Sequence, residues 1–265
     1  MRSFGKRTVR INVRGILLTV AVLAIVLLVT GCGKNVDDTS LSDVKKRGVI
    51  LVATDDTYPP LEWNENGEIV GFDIDLMTEI ASRLGVKARF ISTKWDGLLT
   101  GLNGKQYDAV ISSMNITPER EKQVNFVEYM RWAQVIVMSP DAQPVTNLEG
   151  LQGKRIAVQV STTSETMAKG IKDAKVSSFE SFDTTFMELK NGRCDAIIID
   201  EPVALYYQSK DPDSFKITGV ASEKMPVGIA LRKSDIRLRD AIAKALSDMK
   251  QDGKFDEIYR KWFQK

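Results

Sequence analysis

The side chains best suited to chemistry follow the predicted strands of an α/β chain. In open α/β sheets, ligands bind beyond the carboxyl ends of the strands. The residues after each short β-branched run combine hydroxyls, one arginine and acids from both halves of the chain, which favours binding of a small polar molecule. These candidates are Asp55, Tyr58, Ser112, Ser113, Asn115, Thr117, Arg120, Ser161, Thr162, Thr163 and Asp200.

Arg120 is the candidate anion-binding group. Thr117 and Pro118 have the residue types of a helix N-cap and first helical residue, which places Arg120 one turn into a helix. A guanidinium beside free backbone amides suits a carboxylate, because its planar fork gives two charge-assisted hydrogen bonds. A surface ion pair with Glu119 or Glu121 fits the same spacing, so both interpretations stay open.

Two other segments could complete a site for a zwitterion. The hydroxyls and amides of Ser161, Thr162 and Thr163 could bind the same carboxylate or could simply cap the helix that follows. Asp200 could accept hydrogen bonds from an ammonium group or could cap the helix that begins at Glu201. An anion site in one half and an acid in the other would together bind an amino acid.

Composition excludes several function classes. The chain contains no histidine, which excludes His-dependent triads and zinc sites with imidazole ligands. The second of its two cysteines, Cys194, lies in an apolar strand and is predicted to be a small core residue. Without its basic N-terminal segment the chain is slightly acidic, so we expect no nucleic-acid partner. We also expect no cofactor, no metal and no catalytic residue.

The N-terminus predicts export. Five cations precede an apolar run at 16–29, and the residues Val29-Thr30-Gly31-Cys32 resemble a bacterial lipobox. The run is shorter than the roughly 20 residues that span a bilayer, which disfavours the alternative of a retained membrane helix. We therefore predict a lipoprotein signal peptide at 1–31, lipid attachment at Cys32, a tether at 32–42 and an extracytoplasmic protein anchored to the cell membrane.

The remaining chain alternates strands with helices. Strands are predicted at 49–54, 86–90, 108–111, 155–158, near 176 and at 195–199, with helices between them and two more in the tail from 238. The alternation predicts parallel α/β units. Segments 98–111 and 186–198 each consist of a helix, a glycine stop, an Asp-Ala pair and an apolar strand, so we predict two lobes of similar build.

Six motifs in order resemble the extracellular solute-binding proteins of polar amino-acid ABC importers. They are DDTYPP (55–60), GFDIDL (71–76), WDGLL (95–99), ITPER (116–120), GRCDA (192–196) and KWF (261–263). The resemblance covers residues 43 to 265. It implies a type II periplasmic-binding-protein fold, with two lobes joined by two crossing strands and one amino acid bound in the cleft.

The resemblance also implies a role for most candidate residues. Arg120 would bind the ligand α-carboxylate with Thr162 and Thr163, and Asp200 would bind the α-ammonium. Ser113 and Asn115 would add contacts, while Tyr58 and Trp95 would form aromatic walls and Asp55 would face the distal end of the ligand. These acids and aromatics favour lysine, arginine, ornithine or histidine, then glutamine or cystine. Val160-Ser161 and Asn115 depart from the usual Gln-Gly and glycine or serine of the family.

The expected domain boundaries follow from this resemblance. Lobe 1 would contain 43–131 and 228–265, lobe 2 would contain 136–223, and hinges would lie at 132–135 and 224–227. Hinge closure would trap the amino acid for an ABC permease. The alternative is a dehydratase-like enzyme on the same fold that acts on a small carboxylic acid, for which Glu201 and Asp200 are the candidate acid–base groups.

Overall fold

The computed structural model describes Gly5 and residues 38–264. The predicted cleavage site, the lipid attachment at Cys32 and the tether before residue 38 lie outside the described residues. The first helix among the described residues, α1 (Ser40–Arg47), begins within the segment predicted as tether. None of the helices in the described ranges is long and apolar enough to cross a membrane.

The first of two five-stranded sheets forms lobe 1. Its strands are β1 (Val49–Thr54), β5 (Lys87–Ser92), β6 (Ala109–Val110), β7 (Val124–Trp132) and β13 (Met225–Arg232). The order is β5-β1-β6-β13-β7, with β1 parallel to β5 and β6, and β13 antiparallel to β6 and β7. The helices of this lobe are α2 (Phe72–Arg83), a 3₁₀ turn (Trp95–Gly97), α3 (Leu98–Asn103), α4 (Pro118–Glu121), α8 (Ile236–Gln251) and α9 (Lys254–Phe263).

The second sheet repeats this arrangement in lobe 2. Its strands are β8 (Gln134–Met138), β9 (Arg155–Gln159), β10 (Lys175–Phe179), β11 (Ala196–Asp200) and β12 (Lys216–Val220), in the order β10-β9-β11-β8-β12. Strand β9 is parallel to β10 and β11, and β8 is antiparallel to β11 and β12. A 3₁₀ turn (Glu149–Leu151), α5 (Thr163–Lys169), α6 (Phe182–Lys190) and α7 (Glu201–Lys210) complete the lobe. The two-lobed α/β fold class is therefore confirmed.

The chain passes between the two sheets twice. It leaves lobe 1 between Trp132 and Gln134 and returns between Val220 and Met225. The predicted hinge ranges overlap both passages, and movement about them stays a prediction. Helix α8 then packs on β7, so the C-terminal tail belongs to lobe 1.

The sequence predictions of the principal strands agree with the structure because those strands are apolar and bounded by turn residues. Strand β1 has the predicted limits, and all five residues of β11 are buried, as expected for a strand covered on both faces. Cys194 is buried as predicted, but it lies two residues before β11 and not within the strand. Burial raises the pKa of its thiol to about 11.

A small antiparallel sheet was not predicted. It contains β2 (Thr57–Tyr58), β3 (Glu62–Glu65) and β4 (Glu68–Val70), each too short to show a clear period. Its turn has a recognisable signal, because Asn66 and Gly67 both have positive φ (55° and 92°), and an Asn-Gly pair between two strands is typical of a tight hairpin.

Gly71 allows this small sheet to pack against the start of α2. Its φ is 138°, and a Cβ atom there would lie 2.1 Å from the backbone oxygen of Leu61. No other residue type fits this approach. The contact brings Glu62 at the start of β3 beside Asp73 in the first turn of α2.

Candidate functional site

A cavity lies between the carboxyl ends of the two sheets. Its free volume is about 20 Å³, roughly the space of one water molecule, because side chains from the two sheets meet across it. Nine of its lining residues were predicted, and they are Asp55, Tyr58, Trp95, Ser112, Ser113, Asn115, Thr162, Thr163 and Asp200. Thr117, Arg120 and Ser161 are not among the lining residues.

Several hydrogen bonds join the two walls of this cavity. Gln159 Nε2 donates to Asp55 Oδ2 at 2.7 Å, and the Tyr58 hydroxyl donates to Asp200 Oδ2 at 3.0 Å. The Thr163 hydroxyl donates to Asn115 Oδ1 at 2.7 Å. Each bond connects a lobe 1 residue with a lobe 2 residue, so the lobes are closed on one another.

Arg120 lies at the edge of the cavity and also bridges the lobes. Its Nη1 donates to the Asn115 carbonyl at 2.8 Å and its Nη2 to the Ser161 carbonyl at 3.2 Å. The guanidinium carbon lies 5.1 Å from the centre of the Trp95 ring, a cation–π distance. Burial lowers the pKa of Arg120 to about 10, and the charge of Asp200 opposes this shift.

The predicted helix start positions Arg120. The Thr117 hydroxyl accepts a hydrogen bond from the Arg120 backbone N–H at 3.3 Å, and Pro118 is the first helical residue. Within the described ranges Arg120 has no ion pair with Glu119 or Glu121; both of its side-chain hydrogen bonds go to carbonyls. This arrangement leaves a positive charge beside the cavity.

The segment from Ser161 to Thr163 combines capping with contact to the cavity. Thr162 Oγ1 accepts from the Glu165 backbone N–H at 3.1 Å, so Thr162 caps α5. Ser161 has φ 61°, a conformation that favours glycine, and its carbonyl accepts from Trp95 Nε1 at 3.1 Å. The Thr163 hydroxyl points toward lobe 1, where it donates to Asn115 Oδ1.

Asp200 faces the cavity instead of capping α7. It occupies the N-cap position, yet its side chain makes no capping hydrogen bond. Its carboxylate accepts from the Tyr58 hydroxyl and from Gln134 Nε2 at 3.2 Å. Burial raises the pKa of Asp200 to about 6, against the hydrogen bonds and the charge of Arg120. The geometry favours an acceptor for an ammonium group.

Asp55 provides a second carboxylate on the opposite wall. Burial raises its pKa to about 6, while hydrogen bonds from Gln159 and Thr57 oppose the shift and the charges of Asp56 and Asp183 add to it. Two buried acids and a single arginine at the rim therefore leave a surplus of negative charge around the cavity.

Five lining residues were missed by the sequence analysis. They are Glu62, Gln134, Gln159, Ser164 and Phe182. Gln159 ends β9, so the rule of strand carboxyl ends could have identified it. Phe182 forms an aromatic wall with Tyr58, at 4.9 Å between ring centres, and only the pairing of distant segments reveals this contact.

Known proteins are similar to this chain in fold and in sequence. A profile of the bacterial extracellular solute-binding proteins, family 3, matches residues 50–265. The L-cystine-binding protein TcyJ of Escherichia coli K12 is 32% identical over 231 residues, which cover 86% of this chain and 87% of that protein. The arginine-binding extracellular protein ArtP of Bacillus subtilis 168 is 32% identical over 252 residues, covering 93% and 97%. The solved structure of an ancestral arginine-binding protein bound to arginine is 43% identical with a TM-score of 0.79, covering 82% of this chain and 99% of that one. The chain belongs to the bacterial extracellular solute-binding proteins, family 3.

Proposed function

We propose that this chain binds one L-amino acid between its lobes and delivers it to an ABC permease. The observation that carries the proposal is the position of three charged groups around one cavity. Asp55 and Asp200 contribute carboxylates from opposite walls, and Arg120 lies at the edge where it contacts both lobes. The relatives that bind cystine or arginine support an amino acid as the ligand.

Each charged group would bind one part of the ligand. The Arg120 guanidinium would bind the α-carboxylate, with the backbone N–H groups of 162–163. Asp200 would bind the α-ammonium, and Asp55 the distal end of the side chain. Since the acids outnumber the arginine, a ligand with a net positive charge matches the site best. We therefore propose a basic L-amino acid, arginine first.

Ligand binding would shift the protein toward its closed form. The carboxylate and ammonium of one ligand contact groups of different lobes, so their full binding energy is available only when the lobes close. The passages at 132–134 and 221–224 would act as the hinges.

A thermal unfolding screen tests the amino-acid proposal. A ligand at about one hundred times its Kd stabilises the native state by about 2.7 kcal/mol, which raises the midpoint by several degrees. We expect L-arginine to give a large shift among the twenty common amino acids, ornithine and cystine, and D-arginine to give none. If no amino acid raises the midpoint, the proposed function is wrong.

We further propose that the protein binds its ligand without converting it. A dehydratase-like enzyme needs an acid or base in the cleft. Glu201, one of the two candidate acid–base groups, begins α7 and does not line the cavity. The other candidate, Asp200, is assigned in this proposal to the ligand ammonium. Conversion of a cyclic dienyl acid by the purified chain would favour the enzyme instead.

We also propose that the protein is a lipid-anchored extracytoplasmic protein. The family is extracellular, and the N-terminal cations, apolar run and Cys32 have the pattern of a lipoprotein signal. We expect the Cys32→Ser variant to lose incorporation of labelled fatty acid and to leave the membrane fraction. Unchanged labelling and fractionation would contradict the anchor.

A further inference from the structure

Two fully buried carboxyl groups lie behind one wall of the cavity. Glu62, at the start of β3, and Asp73, in the first turn of α2, each have 0% of their surface exposed. Their carboxyls converge on one hydroxyl, since Ser113 Oγ lies 3.3 Å from Glu62 Oε2 and 3.4 Å from Asp73 Oδ2. Glu62 also lines the cavity. The binding mechanism proposed above uses neither group.

Only uncharged donors contact this carboxyl pair. Ser112 Oγ donates to Glu62 Oε1 at 3.1 Å, and Ser113 Oγ donates to Glu62 Oε2 at 3.3 Å. Asp73 Oδ2 accepts from the Ser113 backbone N–H at 2.9 Å and from the Tyr129 hydroxyl at 2.8 Å. In the part of the chain that the structure describes, neither carboxyl belongs to an ion pair. No positive charge therefore offsets two ionised groups.

The remaining oxygen of Asp73 indicates where a proton lies. Asp73 Oδ1 is buried and has no donor among the described protein groups, whereas buried polar atoms are nearly always hydrogen-bonded. A proton on Glu62 would supply that donor. Two neighbouring carboxyls are more stable when they share one proton than when both are ionised.

The electrostatic surroundings favour the same arrangement. Burial and the charge of Asp73 raise the pKa of Glu62 well above its usual range, and the charge of Asp55 acts in the same direction. The other titratable groups that face the pair are the hydroxyls of Tyr58 on β2 and Tyr129 on β7, both with raised pKa values. Both hydroxyls therefore stay un-ionised near neutral pH.

The pair also holds a strained part of the cavity wall. Ser113 has φ 51°, an uncommon conformation for a residue other than glycine, and Asp73 accepts its backbone N–H. Ser112 Oγ accepts the Asp55 backbone N–H at 2.9 Å while it donates to Glu62. The contacts therefore run from the pair to Ser113 and, through Ser112, to Asp55.

We propose that Glu62 and Asp73 share one proton at neutral pH and act as a positioning pair for the Ser112–Ser113 wall of the ligand cavity. Loss of the proton places two negative charges in contact, separates the carboxyls and displaces the serines that they hold. Ligand affinity then falls at alkaline pH. The effect on affinity rests on the proposed amino-acid function, but the shared proton does not.

The first test measures unfolding of the full chain by urea between about pH 5 and pH 9, without ligand. The native state keeps the Glu62 proton at pH values where the unfolded chain releases it, so this group makes stability fall as pH rises. For each unit by which the pH rises in this range, the group increases the equilibrium constant of unfolding about tenfold. We expect Glu62→Gln to lose this contribution to the pH dependence of stability. Its amide can donate a hydrogen bond to Asp73, but it does not release a proton in this pH range.

A matched control separates this effect from a general loss of charge. Glu79→Gln changes an acid of the same type on α2, where Glu79 forms an ion pair with Arg83 at 2.8 Å. We expect this variant to show the same dependence of stability on pH as the parent. The infrared band of a protonated carboxyl should be present in the parent protein at neutral pH and absent from Glu62→Gln. An unchanged slope and an unchanged band in Glu62→Gln would overturn the shared proton.

The second test measures L-arginine affinity by calorimetry over the same pH range. We expect the parent protein to lose about tenfold in affinity per pH unit once the pair ionises. In Glu62→Gln the affinity, whatever its value at neutral pH, should stay constant as the pH rises. Asp73→Asn should likewise lose this pH dependence, because its amide can donate a hydrogen bond to an ionised Glu62.

The outcomes of the two tests are separable. If the parent binds no amino acid, the proposed function fails, and the unfolding slope and the infrared band still decide the shared proton. If the parent binds and Glu62→Gln loses affinity at alkaline pH in parallel with it, the positioning role is wrong.

Discussion

Replacement of Arg120 by alanine should lower the affinity for L-arginine about 1,000-fold, or by ~4 kcal/mol. The guanidinium is the positive group nearest the ligand α-carboxylate in the proposed arrangement. It also donates to the Asn115 carbonyl of lobe 1 and the Ser161 carbonyl of lobe 2, so its loss removes a contact between the lobes. Calorimetry on the purified full chain measures the change.

The geometry of the guanidinium should matter as well as its charge. Arg120→Lys keeps a positive charge but cannot donate to two carbonyls and a carboxylate from one planar group. We expect this variant to bind more tightly than Arg120→Ala and about tenfold or more below the parent. Its stacking on Trp95 should also weaken.

Arg193→Ala is the matched control. Arg193 has the same side chain, is 65% exposed and pairs with Glu188 at 2.8 Å away from the cavity. Because exposed ion pairs contribute little, both affinity and the unfolding midpoint should stay close to those of the parent. Near-normal affinity of a folded Arg120→Ala protein would contradict the role of Arg120.

The features that the sequence predicts well are set by local chemistry. Thr117 and Pro118 are suited to a helix start, and the structure places them as N-cap and first helical residue. Strand β1 consists of β-branched and small apolar residues that end at a turn, so its limits could be predicted. Asp200 follows such a strand directly and consequently lies at its carboxyl end.

Other features depend on contacts between distant residues and could not be predicted in this way. The hydrogen bond from Gln159 to Asp55 joins residues 104 positions apart, and Tyr58 bonds to Asp200 across 142 positions. Neither residue type nor spacing indicates these pairs. The sequence analysis did not identify Glu62, because its strand is only four residues long and shows no clear period.

Thr162 and Arg120 show a second reason why sequence alone could not assign the role of a site residue. Sequence alone left both capping and ligand binding open for Thr162, and the structure shows that its hydroxyl caps α5 while the residue lines the cavity. For Arg120 the hydrogen-bond partners proved to be carbonyls of both lobes. A single residue can serve both roles, so spacing could not choose between them.

Asp55 should set the preference for a cationic side chain, and this preference should depend on pH. The ionised carboxylate attracts a distal cation but has no such effect on a neutral amide side chain. At about pH 8 we expect Asp55→Asn to reduce the affinity for L-arginine about 100-fold and to leave that for L-glutamine nearly unchanged. The ratio of the two Kd values therefore measures the contribution of Asp55.

The pH dependence follows from the pKa of Asp55, which burial raises to about 6. Above this pH the carboxylate is ionised and the preference for arginine is constant. Below it the group takes up a proton, and the preference should fall by up to about tenfold per pH unit. Asp200 titrates in the same range, yet it faces the α-ammonium common to both ligands, so its effect cancels in the ratio. Asp55→Asn should give a ratio that does not change with pH; a parent ratio that is equally flat would show that Asp55 does not face the ligand side chain.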